Sequence, residues 1–565
     1  MREPLYDYDW IVIGSGFGGS VAALRLAEKG YSVCVLECGR RFADEDFAKT
    51  TWQSRRYFWS PRLGMRGIFR LTLFKDIFIA SGCGVGGGSL GYANTLYRAR
   101  DAFFEDAQWG GVGNLEAEFA PHYDTAERML GVTEYDQVGP ADELLRELGE
   151  ELGVPETFKS ARVGVYLGDD GEVGPGQSGG DPYFGGEGPE RFACRRCGSC
   201  MIGCRHGAKN TLVKNYLFFA EKLGAEVWPE REAAEIRPLG AAADGSAGYE
   251  VKTVHPGAWL RRRPQRLRAR GVVVAAGPLG TNKLLANCKA RGELPRLSNR
   301  LGHVVRTNTE SIQAVQAPDD SRDFAKSIAI TSSIYPDPDT HIEVVTFGKA
   351  GDSMGFLNTL MTGNGTRLTR PLLWIGQVLR HPLNFLKSLW VLNSSRRTVI
   401  LLVMQTLDTA MRLRPRRKLF GRGVSLHTEQ DPERPNPTYL PVAEQAARWW
   451  AKRTGGLAQS SFTEAIFNIP TTAHILGGAV IGDGPATGVV DAANRAYGYE
   501  NLLICDGSAI PANPGVNPSL TITAMAEHAM AEVPAKGLPR TLPDAARPAR
   551  REPLPSGPQP QPQHL

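Results

Sequence analysis

The sequence predicts an α/β fold organised around a Rossmann-like parallel sheet, and three observations carry that reading. A continuous apolar run, Trp10 to Gly14, is followed by the spaced glycines Gly14, Gly16 and Gly19 and then by a helical pattern. A second apolar strand closes on the acidic Glu37. Far along the chain, the run Gly271 to Gly277 again ends in glycine and again leads into a helical segment. Runs without polar alternation are what parallel strands covered on both faces require.

Taken in order, the first helix spans Gly18 to Lys29, with Val21, Leu24 and Leu26 near helical spacing and Gly30 where a left-handed residue ends it. Ser32 to Glu37 completes a β-α-β unit. In this setting the three glycines form a dinucleotide fingerprint. The first permits the tight turn, the second lets a pyrophosphate approach the backbone, and the third lets the helix pack on the strand. Free N–H groups at the helix start hold the phosphates. Glu37 is placed to accept hydrogen bonds from the adenosine ribose hydroxyls, which argues against a 2′-phosphate. Glu226 to Trp228 and Gly271 to Gly277 read as further strands of the same sheet, the second followed by a helix over Thr281 to Ala286. Gly168 to Gly188 is too rich in Gly and Pro to bury much and reads as a loop. The basic stretch Arg261 to Arg270 decorates a hairpin, and the Pro-, Arg- and Gln-rich tail from Leu538 is expected to be disordered.

Composition narrows the class. The 64 glycines exceed the usual ~7% and point to ligand sites lined by backbone. A formal charge of +5, from 65 basic and 60 acidic residues, is too small to argue for nucleic acid. Cys34, Cys38, Cys83, Cys288 and Cys505 stand singly, which does not read as a disulfide framework. The start, MREPLYDYDWIVIG, lacks the features of a signal peptide, so cytoplasmic residence is expected. No window reaches the ~18 apolar residues of a spanning helix. Arg370 to Gln405 mixes apolar runs with Arg and His and suits peripheral membrane contact.

The fingerprint does not separate NAD from FAD. A second glycine cluster, Ser81 to Asn94, is bare enough to press its backbone on a flat ligand. Together with Gly515 to Glu527 (GVNPSLTITAMAE), this loop resembles the glucose-methanol-choline (GMC) flavin oxidoreductases, and among them the bacterial cholesterol oxidase type. The resemblance covers all but the tail, with its specific motifs in residues 11 to 40, 81 to 95, 271 to 285 and 471 to 527. It implies FAD rather than NAD. It also implies a discontinuous FAD-binding domain of GMC type (1–100, 205–300 and 471–537) with an inserted α+β substrate domain (101–204 and 301–470). Residue by residue, it implies that Gly86, Gly87, Ser89 and Asn94 lie beside the flavin and that the Val227 backbone faces the adenine. Asp506 and Gly507 are to hold the ribityl and pyrophosphate region.

Alcohol oxidation removes a hydroxyl proton and a hydride, so a base or oriented partner is needed near the flavin. His474, in Thr472-Ala-His-Ile-Leu-Gly-Gly478, matches the histidine that these enzymes place over the flavin. Asn517, before Pro518 and a helix running Ser519 to Ala531, is either a partner for the substrate oxygen or a helix cap. Glu343, on one strand face with His341, is the candidate to move a proton in Δ5 to Δ4 double-bond migration, or else a carboxylate in a salt bridge. The implied reaction is FAD-dependent oxidation of a bulky apolar alcohol such as a 3β-hydroxysteroid, with oxygen or an electron carrier as acceptor. The alternatives are a flavin dehydrogenase of another alcohol and a flavin/iron–sulfur electron-transfer protein.

Two features stay open. Cys194, Cys197, Cys200 and Cys204 have the spacing of ferredoxin-type ligation, which predicts an iron–sulfur or zinc site, or else a reduced structural cluster or paired disulfides. Segment 355 to 405, with Phe356, Leu372, Trp374 and Phe385, reads either as a lid for a lipid or as an apolar stripe packed into the core.

Overall fold

β1 (Tyr8–Ile13) is almost wholly buried, and α1 (Phe17–Glu28) returns over it to β2 (Val33–Leu36), which pairs parallel with β1. The computed structural model from which this is drawn describes residues 6–110, 115–168, 171–258, 263–418 and 423–537. β3 (Glu226–Trp228) adds parallel to the outer edge of β2. On the other side, β4 (Glu232–Pro238) and β5 (Tyr249–Val254) form an antiparallel pair, and β6 (Gln265–Val274) is shared between them and β1. The first half of β6 pairs with β5; its end, Val272 to Val274, pairs parallel with the strand Leu502–Ile504. Sequence segments from both ends of the chain thus share one Rossmann-like sheet.

The expected strands 226–228 and 271–277 do join this sheet, but two boundaries move. β6 begins within the basic stretch, because Arg266, Arg268 and Arg270 alternate outward while Leu267 and Ala269 point into the core. The helix expected over 281–286 is α2 (Gly277–Arg291), started by the Gly-Pro pair and closed by Gly292 at φ 76°. Arg261, Arg262 and the tail from Leu538 lie outside the described residues.

A second sheet is antiparallel at its centre: β7 (Ser311–Gln316), β8 (Thr340–Val345) and β9 (Thr398–Gln405), with β9 between the other two. Alternation gives β8 two faces. Ile342 and Val344 pack with Val399, Leu401 and Trp450 in one apolar cluster, while His341 and Glu343 project from the opposite face. Between β8 and β9 the chain forms α3 (Thr369–Arg380) and α4 (Pro382–Leu389) on the outside of the molecule. Trp374 and Phe385 pack edge to face at 5.6 Å, but Phe356, Leu372, Leu379 and Leu383 are exposed, so this stripe is not core. Its inner side is fixed instead by the buried Arg370, which donates to the Glu464 carbonyl (2.6 Å) and the Thr438 carbonyl (3.0 Å).

The last helix, α5 (Ser519–Ala531), packs on α1 through a bidentate pair of Arg25 with Glu527 at 2.7 and 2.8 Å. Arg306, on a short strand (Val305–Arg306) outside both of these sheets, has a fully buried side chain. Its guanidinium reaches Asp106 (3.2 Å), Asp408, the Thr409 carbonyl (2.8 Å) and the Pro511 carbonyl (2.8 Å). Removing one partner of a buried ion pair leaves the other charge uncompensated, at a cost of about 3–5 kcal/mol. Arg306→Met is therefore expected to lower the midpoint of denaturant unfolding accordingly, with Arg306→Lys recovering part of the loss.

Candidate active site

Two glycine loops build the floor. Gly14 follows β1 at φ 104°, and a Cβ there would stand 2.1 Å from the Ala275 carbonyl oxygen, so only glycine lets β1 turn against β6. Gly87, at φ 54° in the second loop, is pressed on the first: its Cβ would meet the Gly16 Cα at 2.5 Å. α1 starts at Gly16 with no side-chain cap and no acidic residue in its first turn. Its N–H groups are left for a phosphate.

Glu37 is buried at the end of β2, where Oε1 accepts from Gly39 N (2.7 Å) and Oε2 from Ser15 N (3.1 Å) and Oγ (2.7 Å). Oε1 also accepts from the Cys38 thiol (3.4 Å), a weak donor that a ribose hydroxyl would displace. Ser89 donates to the Gly86 carbonyl (2.7 Å) and accepts from Leu212 N (3.1 Å), fixing the loop. Asn94 is fully buried at φ 74°, and its Oδ1 has no partner. Val227 lies on β3 in register with Val35. The Asp506 carboxylate accepts from Gly277 N (2.9 Å), Thr281 Oγ1 and Ser508 N (2.8 Å), so it braces the start of α2, and Gly507 follows it. Burial raises its pKa against these bonds. Asn94 itself lines the cavity of Cys194 and Cys200, whereas the bare glycine turns and the uncapped helix start are what a bound flavin dinucleotide would fill.

The expected catalytic residues form two pairs. His474 Nδ1 lies 3.3 Å from Oε2 of Glu310, whose side chain is fully buried and also accepts from Thr472 Oγ1 (2.6 Å) and Ala473 N (3.0 Å). Asn517 Nδ2 donates to Glu343 Oε2 at 3.2 Å. Asn517 is not a cap, since Pro518 occupies that position with no side-chain bond, and Glu343 makes no salt bridge among the described residues. Burial pushes the Glu343 carboxyl up to about 8, with the Asn517 bond opposing and Glu310 adding to the rise. It is protonated at neutral pH. His341, stacked on Tyr335 at 4.5 Å, is pushed down to about 3 by burial and by Arg100, and so stays neutral.

Sequence reasoning did not find what joins the pairs. Asn308 accepts from Gly515 N (2.9 Å) through Oδ1 and donates to the Val516 carbonyl (3.0 Å), while Asn513 Oδ1 accepts from Asn308 N (2.8 Å). This clamp holds the loop of Asn517 against the segment of Glu310. That segment carries positive φ at Val304 (52°), Asn308 (59°) and Thr309 (43°), a conformation that costs L residues energy and collects at functional sites. An Asn before a β-branched Thr, followed by Glu, was the available sequence signal. Elsewhere, Cys38 and Cys83 do not stand singly, since their sulfurs are 3.5 Å apart beside Arg70. Cys194, Cys197, Cys200 and Cys204 line a common cavity, although no three of their sulfurs lie within 4.8 Å of one another.

Comparison with known proteins agrees with the geometry. Residues 398–526 match the GMC oxidoreductase family, and residues 12–43 match an NAD(P)-binding Rossmann-like domain. The chain belongs to the GMC oxidoreductases, a family of FAD-dependent alcohol oxidoreductases. Within the family it resembles the cholesterol oxidase type. It is 46% identical over 534 residues to a cholesterol oxidase of Acinetobacter baumannii, covering 94% of this chain and 95% of that one. It is 48% identical over 552 residues to a cholesterol oxidase of Mycobacterium tuberculosis, covering 96% and 94%. Among solved structures, a pyridoxine 4-oxidase from Mesorbium loti superposes with a TM-score of 0.57 at 14% identity, covering 93% of this chain and 98% of that one. A fungal aryl-alcohol oxidase gives 0.55 at 12% identity, with the same coverage. These two likenesses speak for the fold.

Glu310 yields a direct test. Glu310 Oε2 lies 3.3 Å from His474 Nδ1, close enough to orient the ring, although that nitrogen makes no hydrogen bond among the described residues. Glu310→Gln is expected to lower kcat by about 10²-fold through misplacement of the ring, with the FAD content of the purified protein unchanged.

Proposed function

We propose that this chain oxidises the 3β-hydroxyl of a sterol and moves the Δ5 double bond to Δ4, with FAD as hydride acceptor and oxygen as the final oxidant. The observation that carries the reading is the pairing of His474 with Glu310 and of Asn517 with Glu343 on the two sides of one clamp. The names of the curated relatives supply the substrate class. FAD, when bound, supplies the hydride acceptor. The proposed division of labour places the dinucleotide on segments 1–100, 205–300 and 471–537 and the alcohol against 101–204 and 301–470.

In this reading His474 takes the hydroxyl proton at Nε2, and Glu310 stabilises the imidazolium that results. Asn517 keeps one amide hydrogen on Glu343 and directs the other to the substrate oxygen. The N-terminus of α5, with no side-chain cap and no acidic residue in its first turn, would favour negative charge on a flavin bound beside it. Glu343 takes a proton from the carbon next to the new ketone and returns it two carbons further along. That step needs the carboxylate, so its rate should rise with pH and level off above about 8. Glu343→Gln is expected to abolish isomerisation while ketone formation continues, so Δ5-3-ketosteroid accumulates. With cholesterol under air, one peroxide should appear per ketone formed. Turnover of cholesterol without peroxide would refute the assignment of oxygen, and absence of turnover would refute the sterol.

We further propose that α3 and α4 rest on an anionic lipid surface. Among the described residues no helix is long and apolar enough to cross a membrane, but this pair exposes Leu372, Leu379, Leu383, Leu386 and Trp390. No Asp or Glu occurs between Asp352 and Asp408, whereas Arg380, His381 and Lys387 flank the apolar face. Apolar area bordered by cations is the pattern of a helix lying in the headgroup region. The protein should co-sediment with phosphatidylcholine vesicles containing phosphatidylglycerol and lose this when Leu372 and Leu379 are both changed to Asp. Unchanged binding of that variant would overturn the docking face.

A further inference from the structure

The excursion between Val163 and Asn210 contains little regular secondary structure, yet its four cysteines converge. Cys194, Cys197, Cys200 and Cys204 all open onto one cavity of about 190 Å³, and all four are free thiols. The loop that carries them is tightly built. Gly198 sits at φ 66°, and a Cβ there would come within 2.4 Å of Gly348 N, so the turn between the second and third cysteines closes on the wall beyond it.

Size and charge identify what the cavity suits. A single zinc ion with four bonds of about 2.3 Å draws its sulfurs to about 3.8 Å apart. Here no three of the four sulfurs lie within 4.8 Å of one another. The thiols surround a volume rather than a point, which suits a multi-atom inorganic core. Lys49, Arg195, Arg205 and Lys209 line the cavity, and among the described residues no carboxylate does. Lys209 is buried and donates to the carbonyls of Leu90 (3.1 Å), Tyr92 (2.7 Å) and Cys200 (2.9 Å), with no carboxylate bond among the described residues. A buried ammonium without an anion is costly. An anionic thiolate-ligated core in the adjacent space would compensate it. The Arg196 N–H already points at Cys194 Sγ (3.4 Å), as N–H groups do toward the sulfurs of such clusters.

We propose that Cys194, Cys197, Cys200 and Cys204 ligate a [4Fe–4S] cluster in this cavity. The run C-x₂-C-x₂-C-x₃-C has the spacing of ferredoxin ligation but no proline after its last cysteine. In ferredoxins with two clusters the fourth cysteine of such a run serves the other cluster. In this chain it faces the same cavity as the first three, so the four can serve one core. Cluster binding staples a Gly-rich excursion that buries little apolar surface. It also places the core against Asn94, which lines the cavity and belongs to the second glycine loop.

The test is metal and sulfide analysis of the full FAD-loaded chain purified without oxygen, repeated after reconstitution with ferrous iron and sulfide. About four iron atoms and four acid-labile sulfides per chain are expected, with absorbance extending beyond the flavin bands and a low-temperature EPR signal after dithionite. Cys197→Ser, which changes the exposed cysteine, should lose iron and keep FAD. One zinc without sulfide, two disulfides, or four titratable thiols after reconstitution would each overturn the proposal. If Cys197→Ser does not fold, the reconstituted wild-type chain decides alone.

Discussion

The buried guanidinium of Arg306 is the interaction on which the site depends. It sits between an aspartate from the region after the second glycine loop, an aspartate and a carbonyl from the loop that follows β9, and a carbonyl six residues before Asn517. A planar group with five donors can hold such dispersed acceptors in one geometry, which an ammonium cannot. Burying it is expensive, and burial also raises the pKa of its partner Asp106. The expense is offset only if all acceptors arrive together, so the charge makes the placement of these three segments interdependent.

From Arg306 the constraint passes along the chain to Asn308 and Glu310. Three residues between 304 and 309 adopt positive φ without glycine's freedom. Such a segment persists only where its surroundings over-determine it. The Asn308–Asn513 clamp and the bonds of Thr472 and Ala473 to Glu310 are those surroundings. The result is two buried carboxylates with different environments. Glu310 Oε2 accepts two hydrogen bonds and lies beside a histidine, whereas Glu343 has a single amide and is driven toward its neutral form. A carboxyl raised by burial in this way is suited to exchanging a proton.

Much of the fold was legible because its signals are local. The apolar runs of β1 and β6, the glycines after β1 and the helix after Pro518 each announce themselves within about ten residues. His474, Asn517 and Glu343 were singled out through motif and strand alternation. Arg306, Asn308 and Glu310 were not, because their partners lie 102 to 208 residues away in sequence, as with Arg306 and Asp408 or Asn308 and Val516. Only the folded chain relates them. β6 was read short for a different reason. Its outward arginines were read as decorating a hairpin, which the antiparallel pairing with β5 matches, but not as the start of the same strand that ends at Val274. The apolar segment of α3 and α4 misled in the opposite direction, since periodicity reports a face and not what covers it.

The cysteine run shows how a spacing gains meaning from geometry. As a string, four cysteines in eleven residues are compatible with zinc, disulfides or a cluster. The folded loop separates these readings by distance, since sulfurs spread around a cavity disfavour a single small ion, and by charge, since the lining is cationic. The same cations would be poorly placed around two neutral disulfides, which do nothing for a buried ammonium. Charge compensation therefore discriminates where spacing alone does not, and it does so with Lys209, a residue outside the motif altogether.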